Sequence, residues 1–412
     1  MLKALGISRL KALTVLLVSM TAAALNLIFQ FIAGRRLDLN DFAVLSLAVS
    51  ISSVISVSAS GIQAAVATDL ARNHERTFKP KFLDRITSTS LALFGLLGLL
   101  TALVSPVLAS LFDTDTLVFL ALALMFPVSA GYMIAYGRLQ GVTKFRTVAV
   151  LGLILSAAKL STLVIGVSLD FSVGEILLGV SSVSGLLVLG FLLATRFAGH
   201  VEIAAWEPRV WRAIGVQVTY WMLLTLGLVV ARIEFSPQDS GRFALADLLA
   251  KMILVVPSLI LLPLLPRYSL RRSTDESSLH LTLSVAGASL ALMLIPVVFL
   301  VIGGDQAIGF LFGVDSILAP GFVGILAVQT IPFGLLGILI QFHLAAETKG
   351  AWLRLLVVLV LGTALLYAAA NSFYVYAFVV GLFGYLAILV LIPKRTYLAT
   401  WRYAIEKSSI HS

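Results

Sequence analysis

A single charged side chain lies in the middle of a long apolar stretch. Residues 147–169 (TVAVLGLILSAAKLSTLVIGVSL) contain no acidic group and one charge, Lys159, at the thirteenth position. A helix of this length crosses a bilayer, so the charge falls near mid-membrane. An ammonium there costs roughly 2.5 kcal/mol or more unless water, a partner or a ligand receives it. The pattern favours anion binding in a hydrated interior; neutralisation by a carbonyl or by loss of the proton is the structural alternative.

Two further pairs of polar residues lie four apart within apolar stretches. Asn26 and Gln30 share one helix face, where their amides can bond a neighbouring helix or contact sugar hydroxyls. Asp247 and Lys251 also share a face, so they can simply pair with each other. If they do not, Asp247 is the acid best placed to bind a cation, and Lys251 joins Lys159 as a candidate contact for an anion.

The composition is that of a protein that lies mostly in lipid. Hydrophobic residues make up 60% of the 412 residues and charged residues only 12%, and the mean hydropathy is +1.05. A soluble domain carries about twice that charged fraction. We therefore expect an all-α polytopic membrane protein.

Twelve charge-poor apolar runs are long enough to span a bilayer. They cover 12–34, 42–68, 88–111, 117–137, 147–169, 176–195, 213–231, 243–266, 281–303, 318–343, 352–370 and 373–393. Segment 200–212 separates six spans from six, which predicts a lobe at 1–199, a cytoplasmic linker, and a lobe with a tail at 213–412. Similar openings of helices 2 and 8, at 41–48 and 242–249, suggest that the halves are parallel repeats around a central cavity.

The basic residues predict the orientation. Of the 29 Lys and Arg residues, 23 fall in the segments on the side of the two termini. By the positive-inside rule, both termini of this multi-pass protein are cytoplasmic. Since topology explains the net charge of +9, nucleic acid is not an expected partner.

Four arginines lie on the opposite, outer side, where the rule predicts few. They are Arg35, Arg36, Arg232 and Arg242. With Lys159 and Lys251 they predict a cavity that is basic at its middle and outer end. The structural alternatives are pairing of Arg232 with Glu234 and interfacial anchoring by Arg35 and Arg36.

Motifs for nucleotide or metal chemistry are absent. The sequence has no G-x-x-x-x-G-K-[ST], no H-E-x-x-H, five scattered histidines and no cysteine. We therefore expect no catalytic residue, no cofactor and no metal. Gly95, Gly98, Gly334 and Gly337 are interpreted as sites of close helix packing.

Three stretches resemble the polysaccharide biosynthesis, or O-antigen and oligosaccharide flippase, family. They are 36–48 (RLDLNDFAVLSLA), 136–146 (YGRLQGVTKFR) and 241–246 (GRFALA), the last followed by Pro257 to Pro266. The resemblance implies a twelve-helix, two-lobed transporter of the multidrug/oligosaccharidyl-lipid/polysaccharide (MOP) superfamily. It also implies that the protein is not an enzyme and moves undecaprenyl-diphosphate-linked sugars outward across a bacterial plasma (inner) membrane by alternating access. Expected partners are lipid-linked oligosaccharide, membrane lipids, and the polysaccharide polymerase and chain-length machinery.

Three other functions remain open. A cation-coupled multidrug exporter of the same superfamily would need acidic cavity residues, of which only Asp247 qualifies. A fourteen-helix peptidoglycan-precursor flippase is close in substrate but needs more spans than 412 residues supply. A membrane glycan polymerase or ligase would carry a large outer loop with catalytic groups, and the outer loops here are short.

Overall fold

The computed structural model describes residues 9–73, 80–194, 208–257, 276–313, 319–345 and 350–392. Regular secondary structure within these ranges is helical, and no strand occurs in them. Twelve α-helices and a short 3-10 turn follow one another along this part of the chain. The prediction of an all-α protein is confirmed.

The helices appear in the predicted order. The first six are α1 (Arg9–Arg36), α2 (Leu39–Asn73), α3 (Pro80–Leu111), α4 (Thr116–Gly141), α5 (Phe145–Ser168) and α6 (Val173–Ala194). The second six are α7 (Pro208–Glu234), α8 (Pro237–Lys251), α9 (Glu276–Phe312), α10 (Phe322–Ala345), α11 (Ala351–Ala369) and α12 (Phe373–Leu391).

Eleven of these helices, all except α8, are long and apolar enough to cross a membrane. Large apolar side chains cover their outward faces; Val107 of α3 and Ile302 of α9, for example, are 70% and 76% exposed. Such faces require lipid around them, and a helix satisfies its own backbone hydrogen bonds there. The chain is therefore a multi-pass membrane protein.

Two predicted spans differ from the helices that form. The span predicted at 243–266 is α8, which ends at Lys251 and passes into the 3-10 turn Met252–Leu254. Pro257 explains this change, because it has no N–H to donate to the carbonyl four residues earlier; residues 258–275 lie outside the described ranges. The span predicted to end at 303 only bends there, at Gly303 (φ −133°, ψ 16°), and α9 continues to Phe312.

Short turns join α1 to α2, α3 to α4, α5 to α6 and α7 to α8, and a polar side chain caps the second helix of each of these pairs. We call these the distal turns, and we call the helix ends that they join, together with the end of α9 beside that of α1, the distal ends. Asp38 Oδ1 accepts from Asp41 N (2.7 Å) before α2, and Asp115 Oδ1 accepts from Leu117 N (3.0 Å) before α4. Ser172 and Glu175 form a reciprocal capping box before α6. Several acidic side chains at this end therefore cap helices.

The chain divides into two compact units. The first contains Met1–Trp221, Ala231–Leu245 and Gly309–Asp315, and the second contains Met222–Val230, Ala246–Ile308 and Ser316–Ser412. The distal ends of α7 and α9 and the start of α8 thus belong to the first unit. The lobes predicted at 1–199 and 213–412 stay a prediction.

Close helix packing organises both units. In the first, α4 packs against α2, α3 and α6, while α1 packs along α5. In the second, α12 packs against α10 and α11. There a Cβ at Gly384 would lie 2.9 Å from Pro332 Cβ, and the Tyr376 hydroxyl donates to Gly227 O at 2.6 Å.

Candidate substrate-binding site

Lys159 lies on the inner face of α5. It is the fifteenth of the 24 residues of this helix, about 21 Å from its start at 1.5 Å per residue. Exposed residues of α5, namely Val150, Ile154, Ala157, Ser161 and Val164, lie on the opposite face at 3.6 residues per turn. Gly152 and Ser156, which contact neighbouring helices, share the face of Lys159. The ammonium therefore points towards the interior of the first unit and away from lipid.

Within the described residues, Lys159 makes no hydrogen bond and no ion pair, and its side chain is half-buried. No carbonyl neutralises it in this structure. An ammonium has three donors and tolerates apolar surroundings only when they are used. Lys159 is thus a half-buried donor group open to a ligand.

A polar pair on α1 lies beside this position. Asn26 donates through Nδ2 to Ser156 Oγ of α5, at 3.0 Å, and to Ala22 O, also at 3.0 Å. Of the two roles that the sequence allows for the Asn26 amide, a bond to a neighbouring helix or a contact with sugar hydroxyls, the structure shows the first.

Gln30 lies one turn beyond Asn26 on the same face of α1. Because successive spans alternate in direction, α1 and α5 run parallel. Gln30 lies about 6 Å beyond Asn26 and Lys159 about 4.5 Å beyond Ser156, so the two reach nearly the same depth. Gln30 Oε1 is buried and has no hydrogen-bond partner in the described part of the chain. The first unit therefore holds an unpartnered acceptor and an unpartnered cation at one level.

Arg232 occupies a different environment, at the distal end of α7. Its side chain is buried, and its guanidinium donates to Asn40 Oδ1 (2.7 Å), Asp113 O (2.8 Å), Phe112 O (3.1 Å) and Ser240 Oγ (3.3 Å). We call these five residues the distal clamp. They join the end of α7 to the α3–α4 turn, to α2 and to α8. The assignment of Arg232 to substrate binding stays a prediction, since these bonds use four of its five N–H donors.

Two other predicted substrate contacts, Arg242 and Lys251, form ion pairs with acidic residues of their own helix. Arg242 Nη1 pairs with Asp239 Oδ1 at 2.9 Å. Lys251 Nζ pairs with the buried Asp247 at 2.5 Å, in the second unit. The sequence-based alternative that Asp247 and Lys251 bond each other is the arrangement found.

Arg35 and Arg36 are exposed in the last turn of α1, and neither makes an ion pair or hydrogen bond among the described residues. Arg35 lines a groove of about 610 Å³ between the distal ends of α1 and α9, with Phe31 and Phe310 among its walls. Phe310 is 83% exposed. This groove opens to the bilayer.

Lys159, Asn26 and Gln30 thus lie at similar depths on the adjacent helices α1 and α5, while the other predicted contacts lie elsewhere. Sequence analysis missed the partners of Arg232, because Asn40 and Ser240 come from separate turns and two acceptors are backbone carbonyls. The residue type at position 113 did indicate a turn, because Asp tolerates the left-handed backbone conformation found at Asp113, with a φ of 45°. Sequence analysis also missed the groove residues of α9, since they lie beyond the predicted end at 303.

No family model matches the chain, and no curated protein matches it. Solved structures do. An inward-facing multidrug resistance MATE family transporter of the MOP superfamily is 15% identical, with 95% of this chain and 99% of that chain covered and a TM-score of 0.67. Lipid II flippase MurJ in an inward closed conformation is 13% identical over 92% and 86% of the two chains, with a TM-score of 0.66.

An outward-facing MATE transporter of the same superfamily is similar as well, at 14% identity, 94% coverage of each chain and a TM-score of 0.58. At these identities the likeness concerns the fold. The chain therefore has the two-lobed helical fold that MATE transporters and MurJ share, as the sequence predicted.

Proposed function

We propose that the protein is a flippase that moves undecaprenyl-diphosphate-linked oligosaccharide from the cytoplasmic to the outer leaflet of a bacterial plasma membrane. One observation carries the proposal: Lys159 is unpartnered within the described residues and lies at mid-depth on the inner face of α5. A diphosphate is the part of such a substrate that hydrocarbon excludes most strongly. A cation held inside the protein compensates that charge during passage.

Gln30 adds a second contact to the proposal. Its buried Oε1 is an acceptor without a donor in the described residues, and native proteins rarely leave such an atom unused. Lys159 would donate to diphosphate oxygens, while Gln30 Oε1 would accept from a sugar hydroxyl. One substrate with an anionic head and neutral sugars satisfies both groups.

The comparisons and the sequence support this substrate class from two sides. The fold is shared with a lipid II flippase, and residues 36–48, 136–146 and 241–246 resemble the oligosaccharide flippases. With both termini cytoplasmic, outward movement of an anion gains about 2.3 kcal/mol per charge per 100 mV. Membrane potential alone can therefore drive the step. Arg35, Arg36, Arg232, Arg242 and Lys251 remain proposed contacts for other stages of transport.

A cation-coupled multidrug exporter is the second candidate. It is supported by the fold shared with MATE transporters and by the buried Asp247. In this structure, however, Asp247 is paired with Lys251, whereas a site for organic cations needs an acid that is free to bind them.

Substitution of Lys159 distinguishes the two functions. Lys159→Ala, Lys159→Glu and Lys159→Arg would be expressed in cells that lack the native gene, and surface glycan, lipid-linked intermediate and dye efflux would be measured at equal membrane levels. Lys144→Ala, at the exposed start of α5, is the matched control. We expect export to fall at least tenfold with Ala and Glu, partly with Arg, and not with the control. Failure of the wild type to restore surface glycan contradicts the proposed function, and normal export with Lys159→Ala or Lys159→Glu removes Lys159 as the diphosphate contact. Dye efflux that depends on Asp247 favours the exporter.

A further inference from the structure

We infer that the distal ends of α1 and α9 form a second substrate site, which holds the diphosphate head of a lipid in the leaflet at that end. This inference rests on the proposed function and adds a second binding site on the path of the substrate. The groove encloses about 610 Å³, and its walls include Ile28, Ile32 and Arg35 of α1 and Phe310 and Leu311 of α9. An adjoining cavity of about 480 Å³ is lined by Ile32, Arg35 and Arg36.

The groove is a built feature, because Phe312 fixes the end of α9 against α1. Its ring lies 5.8 Å from that of Phe31 and 6.3 Å from that of Phe42. The missing side chain at Gly34 makes room for it, since a Cβ there would lie 2.6 Å from Phe312 Cδ1. All of these residues belong to the first compact unit.

The walls fit a lipid chain. Phe310 is 83% exposed and Ile28 is 41% exposed, and both lie on helices whose outward faces contact the bilayer. A soluble anion would leave this apolar surface uncovered, whereas the chain of a lipid covers it. The occupant is therefore a lipid that approaches from within the leaflet.

The charges fit a diphosphate. Arg35 and Arg36 are adjacent, exposed and without an ion pair among the described residues. Interfacial anchoring explains one snorkelling arginine, but two at the mouth of one groove make a site of charge +2. A diphosphate diester carries two negative charges and offers oxygens that match the guanidinium fork. A phospholipid with a single phosphodiester would neutralise only one of them.

The two sites lie on one helix. Arg35 is five residues beyond Gln30, which is about 7.5 Å along α1 and close to its opposite face. Gln30 lies on the face of α1 that bonds α5 through Asn26, while Arg35 lines the bilayer groove. By the predicted orientation the groove lies in the outer leaflet, so a diphosphate head that leaves Lys159 meets Arg35 and Arg36 next.

A label in the groove tests the second site. The chain has no cysteine, so Phe310→Cys gives one attachment point for an environment-sensitive fluorophore. The labelled full-length protein would carry Lys159→Ala to remove the first site and would be placed in phosphatidylcholine nanodiscs. The probes are undecaprenyl diphosphate, phosphatidylglycerol and inorganic pyrophosphate.

We expect undecaprenyl diphosphate to shift the fluorescence, with at least tenfold weaker binding for phosphatidylglycerol and for pyrophosphate. Arg35→Gln with Arg36→Gln should weaken binding at least tenfold, and the Lys pair less. Arg146→Gln, an exposed arginine at the opposite end of the bundle, is the control and should change the affinity less than twofold.

Unchanged affinity in the Gln pair overturns the second site, and so does equal affinity for phosphatidylglycerol, which would make the groove a general surface for anionic lipid. Both results leave the Lys159 export experiment intact as the test of flippase function. Conversely, absence of glycan export by the wild type, with binding in the groove retained, contradicts the proposed function and supports the site.

Discussion

Arg232 and Asn40, 192 residues apart in the chain, are joined by a hydrogen bond of 2.7 Å from Nη1 to Oδ1. The bond links the distal end of α7 to the first turn of α2 and is part of a buried set of four. Because two of the acceptors are carbonyls of the α3–α4 turn, one guanidinium satisfies groups on three separate segments.

Replacement of Arg232 should therefore destabilise the protein. In Arg232→Ala the buried carbonyl of Phe112 loses its donor, at about 1 to 3 kcal/mol, and the more accessible acceptors Asn40 Oδ1 and Asp113 O lose theirs at a smaller cost, since water can replace it. Arg232→Lys should recover only part of the loss, because an ammonium cannot reproduce the planar fork. Thermal unfolding in detergent measures this, with Arg242→Lys as a control in which a more exposed pair should change stability by less than about 1 kcal/mol. Equal melting temperatures for Arg232→Ala and the control would contradict the clamp.

Gly241→Ala should be among the most damaging single-methyl substitutions. A Cβ at Gly241 would overlap the carbonyl oxygen of Leu39, and backbone cannot rotate away as a side chain does. Gly287→Ala is the matched control, since nothing lies within 4 Å of a Cβ there and alanine improves helix propensity by about 1 kcal/mol. We expect a loss of folded yield for Gly241→Ala and none for Gly287→Ala; normal yield for both would show that α8 can move away from α2.

The pair Asp247 and Lys251 should behave as a coupled unit. Asp247→Asn leaves Lys251 without its acid and Lys251→Gln leaves a buried carboxylate, so each single variant should lower stability by about 2 kcal/mol or more. The double variant should recover most of that loss. A double-mutant cycle measures the coupling, and export in the double variant shows whether Asp247 carries a cation. Additive losses would argue against the pair.

Substitutions at Asn26 and Gln30 should have different effects, because Asn26 packs α1 against α5 whereas Gln30 is proposed to contact the substrate. Asn26→Leu removes the bond to Ser156 and should lower stability by about 1 kcal/mol. Gln30→Leu removes an acceptor that has no donor in the described residues, so stability should be unchanged or higher while export falls. Melting temperature and surface glycan, measured on both variants, decide this. A Gln30→Leu variant that exports normally would remove Gln30 from the site.

Much of the fold follows from the sequence, because a bilayer requires long apolar helices and caps mark where they begin. The order of helices 1 to 12 was predictable in this way. The extent of α9 was not, since Gly303 and Gly304 indicate an end where the helix only bends. Close packing was correctly predicted at Gly98, where a Cβ would lie 2.5 Å from Ala123 O, but wrongly at Gly95, which has open space.

The candidate site was only partly predictable, for a physical reason. Lys159 stands out because a single charge in a largely apolar stretch of 23 residues has a high free-energy cost in a bilayer, whichever way its side chain points. The partners of a cation depend instead on tertiary contacts. Sequence alone therefore could not separate Arg232, which is buried among backbone carbonyls, from Arg35, which is exposed in a bilayer groove.

The most direct test of the account is translocation in proteoliposomes. The purified protein would be reconstituted with a fluorescent undecaprenyl-diphosphate oligosaccharide, and the labelled lipid reaching the opposite leaflet would be followed with an impermeant quencher. We expect translocation by the wild type and Lys144→Ala, at least a tenfold loss with Lys159→Ala, and partial retention with Lys159→Arg. Equal rates for the wild type and Lys159→Ala would contradict the claim that Lys159 holds the diphosphate at mid-membrane.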